Sequence, residues 1–185
     1  MLFRMFKVDI KKEIIDHCKK QVEKYNFGQR GYADGTKDQQ LTGIIGQTVV
    51  ADLYDMPWVE GGEGFDEGKD LLVSGKVVDI KTMGRTTDVR DYYVNNFVGL
   101  QKDYKTDIYI FCSLNKTTNE LTICGWVSKK ELFERAQFFK KGTTRTRSDG
   151  STFQTFTDLY EIANNALNNV DTVEELKKDT MMKPK

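Results

Sequence analysis

Apolar residues recur at helical spacing in two segments near the N-terminus. From about Val8 to Tyr25, apolar side chains three or four residues apart alternate with Lys and Glu, which predicts an amphipathic helix. A second helix is predicted after residue 38, where apolar residues follow at intervals of four, and it should end before Pro57. Residues 26–38 are rich in Gly and polar side chains and are predicted to form the loop between these helices.

The middle of the chain has the composition of β-strands. Residues 70–73 (DLLV) and 76–82 (KVVDIKT) are separated only by Ser74 and Gly75, which predicts a hairpin with a two-residue turn. Further strands, rich in β-branched and aromatic residues, are predicted at 91–98, 107–113 and 121–127.

Two pairs of residues have the spacing of a helix capping box. Ser128 with Glu131 predicts a helix that begins at this point and ends at Gly142. Asp158 with Glu161 predicts another helix, which follows a polar and basic loop.

The order of these elements predicts a single domain over residues 1–185. Helices precede and follow the strands, so the fold class is α/β or α+β, with a central mixed β-sheet flanked by helices. A chain of 185 residues is long enough to bury a sizeable core. Residues 171–185 are predicted to form a short charged helix and a frayed C-terminal tail.

The composition narrows the possible functions. The chain has 28 Lys plus Arg and 28 Asp plus Glu, so any attraction to nucleic acid must come from a local patch. The three cysteines are too few and too scattered in the sequence for a disulfide framework or a zinc site, and the single histidine excludes metal centres that need two or more imidazoles. The N-terminus becomes charged within a few residues, and no apolar run approaches the roughly 20 residues that span a bilayer. We therefore expect a cytoplasmic protein in a reducing compartment, with no membrane partner.

The two-residue turn of the predicted hairpin places Asp70 directly opposite Asp79. Facing residues of an antiparallel pair have Cβ atoms about 4.5–5.5 Å apart, and like charges there are destabilising. At about 5 Å, two carboxylates repel by roughly 3 kcal/mol at an effective dielectric constant near 20. A divalent cation would offset this repulsion, and Mg²⁺ is commonly held by one or two carboxylates. The pair therefore predicts a Mg²⁺ site, with Mn²⁺ as an alternative metal.

Lys81 lies two residues beyond Asp79 and so points to the same face of the strand. An ammonium beside two carboxylates and a metal can orient or deprotonate a water, or stabilise charge during phosphodiester hydrolysis. The spacing alone is weak, because an acid two residues before a lysine occurs five times in the chain. The alternative interpretation is an ordinary strand with charges on its outer face, in which Asp70 is a strand-entry residue.

The segment GFDEGKDLLVSGKVVDIKTMGR resembles the catalytic hairpin of the PD-(D/E)XK nuclease superfamily. Asp70 matches its first acid, and the sequence Asp79-Ile80-Lys81 matches its second motif. With flanking elements included, the similarity covers about residues 40–165. The resemblance implies a restriction-endonuclease-like core with three catalytic residues, namely Asp70, Asp79 and Lys81. It also implies that a metal is held by Asp70, Asp79 and the carbonyl group of Ile80.

Three further residues are possible accessories to this site. The helical segment GIIGQTVVADLYD resembles the first motif of the superfamily, in which a glutamate often adds a metal contact, but this chain has Gln47 there. Because an amide is not an anionic ligand, Asp52 one turn further on, or an acid of the first helix, would have to supply that charge. Gln101 with Tyr104 resembles a motif of the exonuclease branch.

Basic residues are concentrated after the predicted strands. Residues 128–147 contain seven bases and two acids, which suits a phosphate backbone. Arg85, just past the catalytic strand, could contact the phosphate next to the bond that is cut. The alternative for each of these bases is a solvated surface position. The candidate DNA-binding residues are Arg85, Lys140, Lys141, Arg145 and Arg147.

These features together predict a Mg²⁺-dependent DNA endonuclease. One site cuts one strand, so cleavage of both strands would require a homodimer. The alternative is a non-catalytic nucleic-acid-binding or assembly protein on a nuclease-like fold, an interpretation that Gln47 favours.

Overall fold

The structure is a computed structural model and describes residues 4–27, 35–61, 70–147 and 149–181, without the side chains of residues 100 and 101. Within these ranges the chain forms four α-helices, which are α1 (Lys12–Lys24), α2 (Lys37–Leu53), α3 (Lys129–Arg135) and α4 (Val173–Met181). The strands are β1 (Phe6–Asp9), β2 (Leu71–Val73), β3 (Lys76–Arg85), β4 (Val94–Val98), β5 (Ile108–Asn115), β6 (Glu120–Ser128), β7 (Gln137–Phe139), β8 (Thr144–Thr146), β9 (Thr152–Gln154) and β10 (Leu159–Ala163). Two 3₁₀ helices lie at Gly99–Asp103 and Asn164–Ala166.

The main sheet has five strands in the order β1-β6-β5-β3-β2. Strand β3 runs parallel to β5, whereas the other neighbouring pairs are antiparallel. Strand β5 is buried along its whole length, because it lies at the centre of the sheet and is covered on both faces. The predicted mixed sheet flanked by helices is therefore confirmed.

Helices α1 and α2 cover one face of this sheet. The core on this side is built from side chains such as Ile14, Val50, Ile80 and Ile110. A reciprocal capping box between Thr36 and Gln39 begins α2. The helix then lies so close to the sheet that a Cβ atom at Gly46 would stand 1.8 Å from the hydroxyl oxygen of Thr82 on β3.

A second core lies on the opposite face of the sheet. There β4, β10 and β7 form a three-stranded antiparallel sheet in the order β4-β10-β7. Phe97 of β4 meets Tyr109 of β5 edge to face, with ring centroids 5.1 Å apart. Leu132 of α3 is fully buried in the same cluster. Because strand residues alternate, Asp79 and Lys81 point toward this second core, whereas Ile80 points toward the helices.

Two predicted helices differ from the structure. The helix predicted to end at Gly142 ends at Arg135, and the chain continues as strand β7. The segment predicted to be a helix after Asp158 is strand β10, which pairs with β4 on one side and β7 on the other. Glu161 does not cap a helix there, because its carboxylate accepts a hydrogen bond from the Arg145 guanidinium.

Two further elements, β1 and the β8–β9 hairpin, were not predicted as they occur. Residues 6–9, placed partly in the first helix, form strand β1 on the edge of the main sheet. The basic loop after Gly142 contains the β8–β9 hairpin. The short charged helix predicted within residues 171–185 is confirmed as α4, which buries Leu176 completely in the main core. None of the described helices combines the length and apolar character needed to cross a membrane.

Candidate metal centre and arginine cavity

The hairpin formed by β2 and β3 has the register that the sequence predicts. Ser74 and Gly75 both have positive φ angles, 50° and 80°, as in the two-residue turns that match the twist of paired strands. Val73 consequently pairs with Lys76, and Leu71 with Val78. One step beyond the last pair, this register brings Asp70 to the level of Asp79.

Asp70 is fixed to the neighbouring strand by its side chain. Its Oδ2 atom accepts a hydrogen bond of 2.7 Å from the backbone amide of Ile80. The N–H and C=O groups of one strand residue point to the same side, so the Ile80 carbonyl is directed toward the edge where Asp70 lies. Asp70 and this carbonyl, both predicted as metal ligands, therefore share one edge of β3.

Asp79 and Lys81 form a buried ion pair. The ammonium nitrogen of Lys81 lies 2.7 Å from Oδ2 of Asp79, and the two side chains are 19% and 4% exposed. The same ammonium lies 5.9 Å from the centre of the Phe97 ring. Burial raises the pKa of the neighbouring Tyr109 phenol, and the negative charge of Asp79 raises it further. The lysine thus supplies the charge that balances an otherwise isolated carboxylate beneath the second sheet.

Gln47 and Asp52, the possible accessory residues of helix α2, do not belong to the face of β3 that carries Asp79 and Lys81. Gly46 of this helix contacts Thr82, which points away from Asp79, so Gln47 belongs to a helix on the opposite face of the sheet. Asp52 accepts hydrogen bonds of 2.9 Å from both the Trp58 indole and the Lys11 ammonium. These contacts, with the indole contributing most, lower the pKa of Asp52. Asp52 therefore ties α2 to its neighbouring segments.

Two carboxylates and one carbonyl, those of Asp70, Asp79 and Ile80, remain as candidate metal ligands among the described residues. The side chain of Gln101 lies outside the described residues. In the described ranges, no three His, Cys, Asp or Glu side chains are grouped closely enough to hold a metal ion. An Mg²⁺ ion that keeps several water or phosphate ligands is compatible with so few protein groups.

A cavity of about 970 Å³ begins where the face of β3 that carries Asp79 and Lys81 ends. Met83, two residues beyond Lys81 and on the same face, is part of its wall. The cavity, here called the arginine cavity, is lined by four cationic side chains, Arg85, Lys116, Arg145 and Arg147. It is also lined by four aromatic side chains, Tyr92, Tyr93, Phe153 and Phe156.

The three arginines of the cavity are each stacked on an aromatic ring. The guanidinium carbon atoms lie 4.4 Å from the ring centre of Tyr93 for Arg85 and 4.3 Å from that of Phe153 for Arg147. Arg145 lies 3.8 Å from the ring centre of another aromatic residue, Phe139. Such stacking holds the planar group in place while leaving its N–H donors available.

Charge neutralisation differs among these arginines. Arg145 pairs with Glu161 at 2.8 Å, whereas Arg85 donates a 2.9 Å hydrogen bond to the carbonyl of Val94. Among the described residues, neither Arg85 nor Arg147 has a carboxylate within ion-pair distance. Burial lowers the pKa of the Arg85 guanidinium. The cavity thus holds two arginines, Arg85 and Arg147, that form no ion pair among the described residues.

The predicted DNA-binding residues divide into two groups. Arg85, Arg145 and Arg147 come together in the arginine cavity, although they are far apart in the sequence. Lys140 and Lys141 are exposed and do not belong to the cavity wall.

Tyr92, Phe156 and Lys116 also line the cavity, although the sequence pattern does not mark them as candidates. Tyr92 is 66% exposed and Phe156 is 61% exposed. In the sequence, the tyrosine pair at residues 92 and 93 indicates only a β-strand. The signal that could have indicated a surface role is the charged residue Asp91 directly before the pair.

Known proteins provide no further guide to the site. Comparison of the chain with protein-family models, with curated proteins and with solved structures finds no match.

Proposed function

We propose that the protein is a metal-dependent deoxyribonuclease that hydrolyses phosphodiester bonds at the β2–β3 hairpin. The observation that carries this proposal is the arrangement along one strand, β3. Asp79 and Lys81 stand on one face, Asp70 is fixed beside them, and the same face leads into the arginine cavity. More specifically, we propose that the site is of the PD-(D/E)XK type and that it lies on a restriction-endonuclease-like core.

The carboxylates of Asp70 and Asp79, with the Ile80 carbonyl, are the groups that would hold Mg²⁺ or Mn²⁺. A bound divalent ion supplies electrostatic stabilisation of the charge that develops on the phosphate oxygens. Lys81, released from part of its contact with Asp79, holds the attacking water or the phosphate by charge-assisted hydrogen bonds. Burial strengthens these interactions, because the surrounding dielectric constant is lower than that of water.

The arginine cavity would hold the DNA strand next to the site. Arg85 lies four positions after Lys81, a distance of about 13 Å along an extended strand. That distance is suited to a contact with a phosphate other than the one being cut. Phosphate contacts of this kind position a strand without reading its sequence.

A second candidate function is nucleic-acid binding without catalysis. The observation that favours it is the burial of Asp79, whose side chain is 4% exposed and already paired with Lys81. A metal would have to compete with this ammonium for the same carboxylate. In this case the Asp79–Lys81 pair would be structural, and the arginine cavity alone would be functional.

Cleavage of DNA by matched variants separates the two candidates. Purified protein is incubated with supercoiled, linear, single-stranded and branched DNA in Mg²⁺, Mn²⁺ or EDTA. The variants are Asp79→Asn and Lys81→Met, with Asp103→Asn and Lys105→Met as controls that alter the same acid-x-Lys spacing at an exposed position. Correct folding of each variant is checked by circular dichroism.

Catalysis at the hairpin predicts metal-dependent cleavage that is lost in the first pair of variants and retained in the second. Nicked product indicates one site acting alone, and linear product indicates a homodimer with two sites. Cleavage that survives in Asp79→Asn would refute the proposed site. DNA binding without any cleavage would support the second candidate instead.

A further inference from the structure

The arginine cavity combines two features that are rarely needed together on a surface that binds only duplex DNA. It contains Arg85 and Arg147, which form no ion pair with any described residue, and it presents two largely exposed aromatic rings, Tyr92 and Phe156. Cationic groups bind phosphates on any nucleic acid. Exposed aromatic rings bind the faces of bases, which a stacked duplex does not offer.

The concave shape also indicates a ligand that enters it. The volume of about 970 Å³ lies at the upper end of the range for small-ligand pockets, roughly 300–1,000 Å³. A rigid duplex would lie across such an opening, whereas an unstacked nucleotide could enter it.

The guanidinium groups in the cavity wall can bind an anion through their terminal nitrogen atoms. The Nε atoms of Arg85 and Arg145 are buried and make no hydrogen bond within the described chain, so they are not accessible to a ligand. Phosphate oxygens are well suited to arginine, because the planar guanidinium presents several donors together.

We infer that the arginine cavity binds an unpaired nucleotide of single-stranded DNA, with its base stacked on Tyr92 and its phosphates held by Arg85 and Arg147. This inference rests on the proposed function in taking DNA as the ligand, and it adds that the substrate is a single strand or an unpaired branch. The strand then continues along β3 toward Lys81.

The test is fluorescence anisotropy with a labelled oligothymidine and with a duplex of the same length. Binding is measured in EDTA, so cleavage does not enter the result. Tyr92→Ala and Arg147→Ala are compared with Phe138→Ala and Lys178→Ala. The control residues are also exposed but do not line the cavity.

The single strand is expected to bind about tenfold or more tightly than the duplex, because only its bases can stack. Tyr92→Ala should weaken single-strand binding by roughly tenfold and leave its salt dependence unchanged. Arg147→Ala should lower the slope of log K against log salt by about 0.7, the value for one phosphate contact on a single strand. Neither control should change the affinity by more than about twofold, since neither residue lines the cavity.

Three results would overturn the inference. One is equal affinity for the single strand and the duplex, and another is a Tyr92→Ala affinity equal to that of Phe138→Ala. The third is displacement of the strand by free thymidine monophosphate at a similar concentration, which would assign the cavity to free nucleotides. Single-strand binding without metal-dependent cleavage would leave the inference standing and remove the nuclease proposal, so the two can fail separately.

Discussion

Replacement of Lys81 by methionine tests how strongly the protein depends on the ion pair at the candidate metal centre. Methionine retains most of the length and apolar surface of lysine but removes the charge. In the variant, Asp79 would remain beneath the second sheet, with its side chain only 4% exposed and without its cation. The free energy of unfolding should therefore fall.

The size of this loss follows from the geometry. At the observed 2.7 Å, two unit charges attract by roughly 6 kcal/mol at an effective dielectric constant near 20. Desolvation of both groups opposes much of this attraction, and removal of one partner from a buried pair usually costs about 3–5 kcal/mol. Because Lys81 keeps 19% of its side chain exposed, we expect the lower end of that range, about 3 kcal/mol.

Urea unfolding, followed by circular dichroism in EDTA, measures this change. Lys7→Met is the matched control, since Lys7 pairs with Asp88 at 3.3 Å while both side chains are about half exposed or more. An exposed pair contributes about 0–1 kcal/mol, so the control should differ little from the wild type. The double variant Asp79→Asn with Lys81→Met should lose less stability than the two single variants added together.

A loss of stability below about 1 kcal/mol in Lys81→Met, equal to that of Lys7→Met, would contradict a buried ion pair at this position. A buried carboxylate without a cation should destabilise the protein by more than that. The metal proposal adds a second expectation. Mg²⁺ should restore part of the lost stability in Lys81→Met but not in the double variant, since a ligand that binds only the folded state stabilises it.

Three other measurements test the fold. Gly46→Ala should destabilise the protein by about 1–3 kcal/mol in urea unfolding, because the added Cβ meets Thr82, whereas Gly43→Ala in the same helix meets nothing within 4 Å and should stabilise it by about 0.5–1 kcal/mol. Equal effects of the two substitutions would contradict the close approach of α2 to β3. Asp52 has a folded-state pKa below its unfolded value, so it contributes stability above about pH 4 that is lost as the pH falls through the lower value. Asp52→Asn should therefore be less stable at pH 7 and lose less on acidification, and an unchanged acid profile would contradict this. The three cysteines are fully buried, and burial raises the pKa of Cys124 to about 12, so a thiol reagent should label none of them before unfolding. Rapid labelling of the native protein would contradict the packing of both cores.

The hairpin register could be predicted from sequence because its determinants are local. A serine and a glycine between two β-rich runs favour one turn type, and that turn decides which residues face each other. The position of Asp70 opposite Asp79 follows from this register alone. The ion pair between Asp79 and Lys81 could not be predicted in the same way, since it depends on burial beneath strand β4, which carries Phe97.

Strand β10 was predicted as a helix for a physical reason. Asp158 and Glu161 have the spacing of a capping box, and local propensity cannot distinguish a cap from an acid that pairs elsewhere. Glu161 instead pairs with Arg145, and the segment is stabilised by two neighbouring strands. Pairing with distant parts of the chain overrides the local preference.

The residues of the arginine cavity could likewise be predicted only in part, because local sequence identifies the charged side chains but not their tertiary neighbours. Charge alone identified Arg85, Arg145 and Arg147 as candidates for phosphate contacts. Their meeting in one cavity depends on the β8–β9 hairpin and on the path of the chain between β3 and β4. Tyr92, which lies in that path, could not be assigned to the cavity without the tertiary structure.

The most direct test of the central claim is a Mn²⁺ titration followed by electron paramagnetic resonance. The wild type, Asp70→Asn, Asp79→Asn and Asp103→Asn are compared in the presence of the same single-stranded oligonucleotide, so that metal bound to DNA alone is common to all four. A metal centre at the hairpin predicts additional bound Mn²⁺ in the wild type and in Asp103→Asn, and its loss in Asp70→Asn and Asp79→Asn. Equal Mn²⁺ binding by all four proteins would contradict a metal centre at the β2–β3 hairpin.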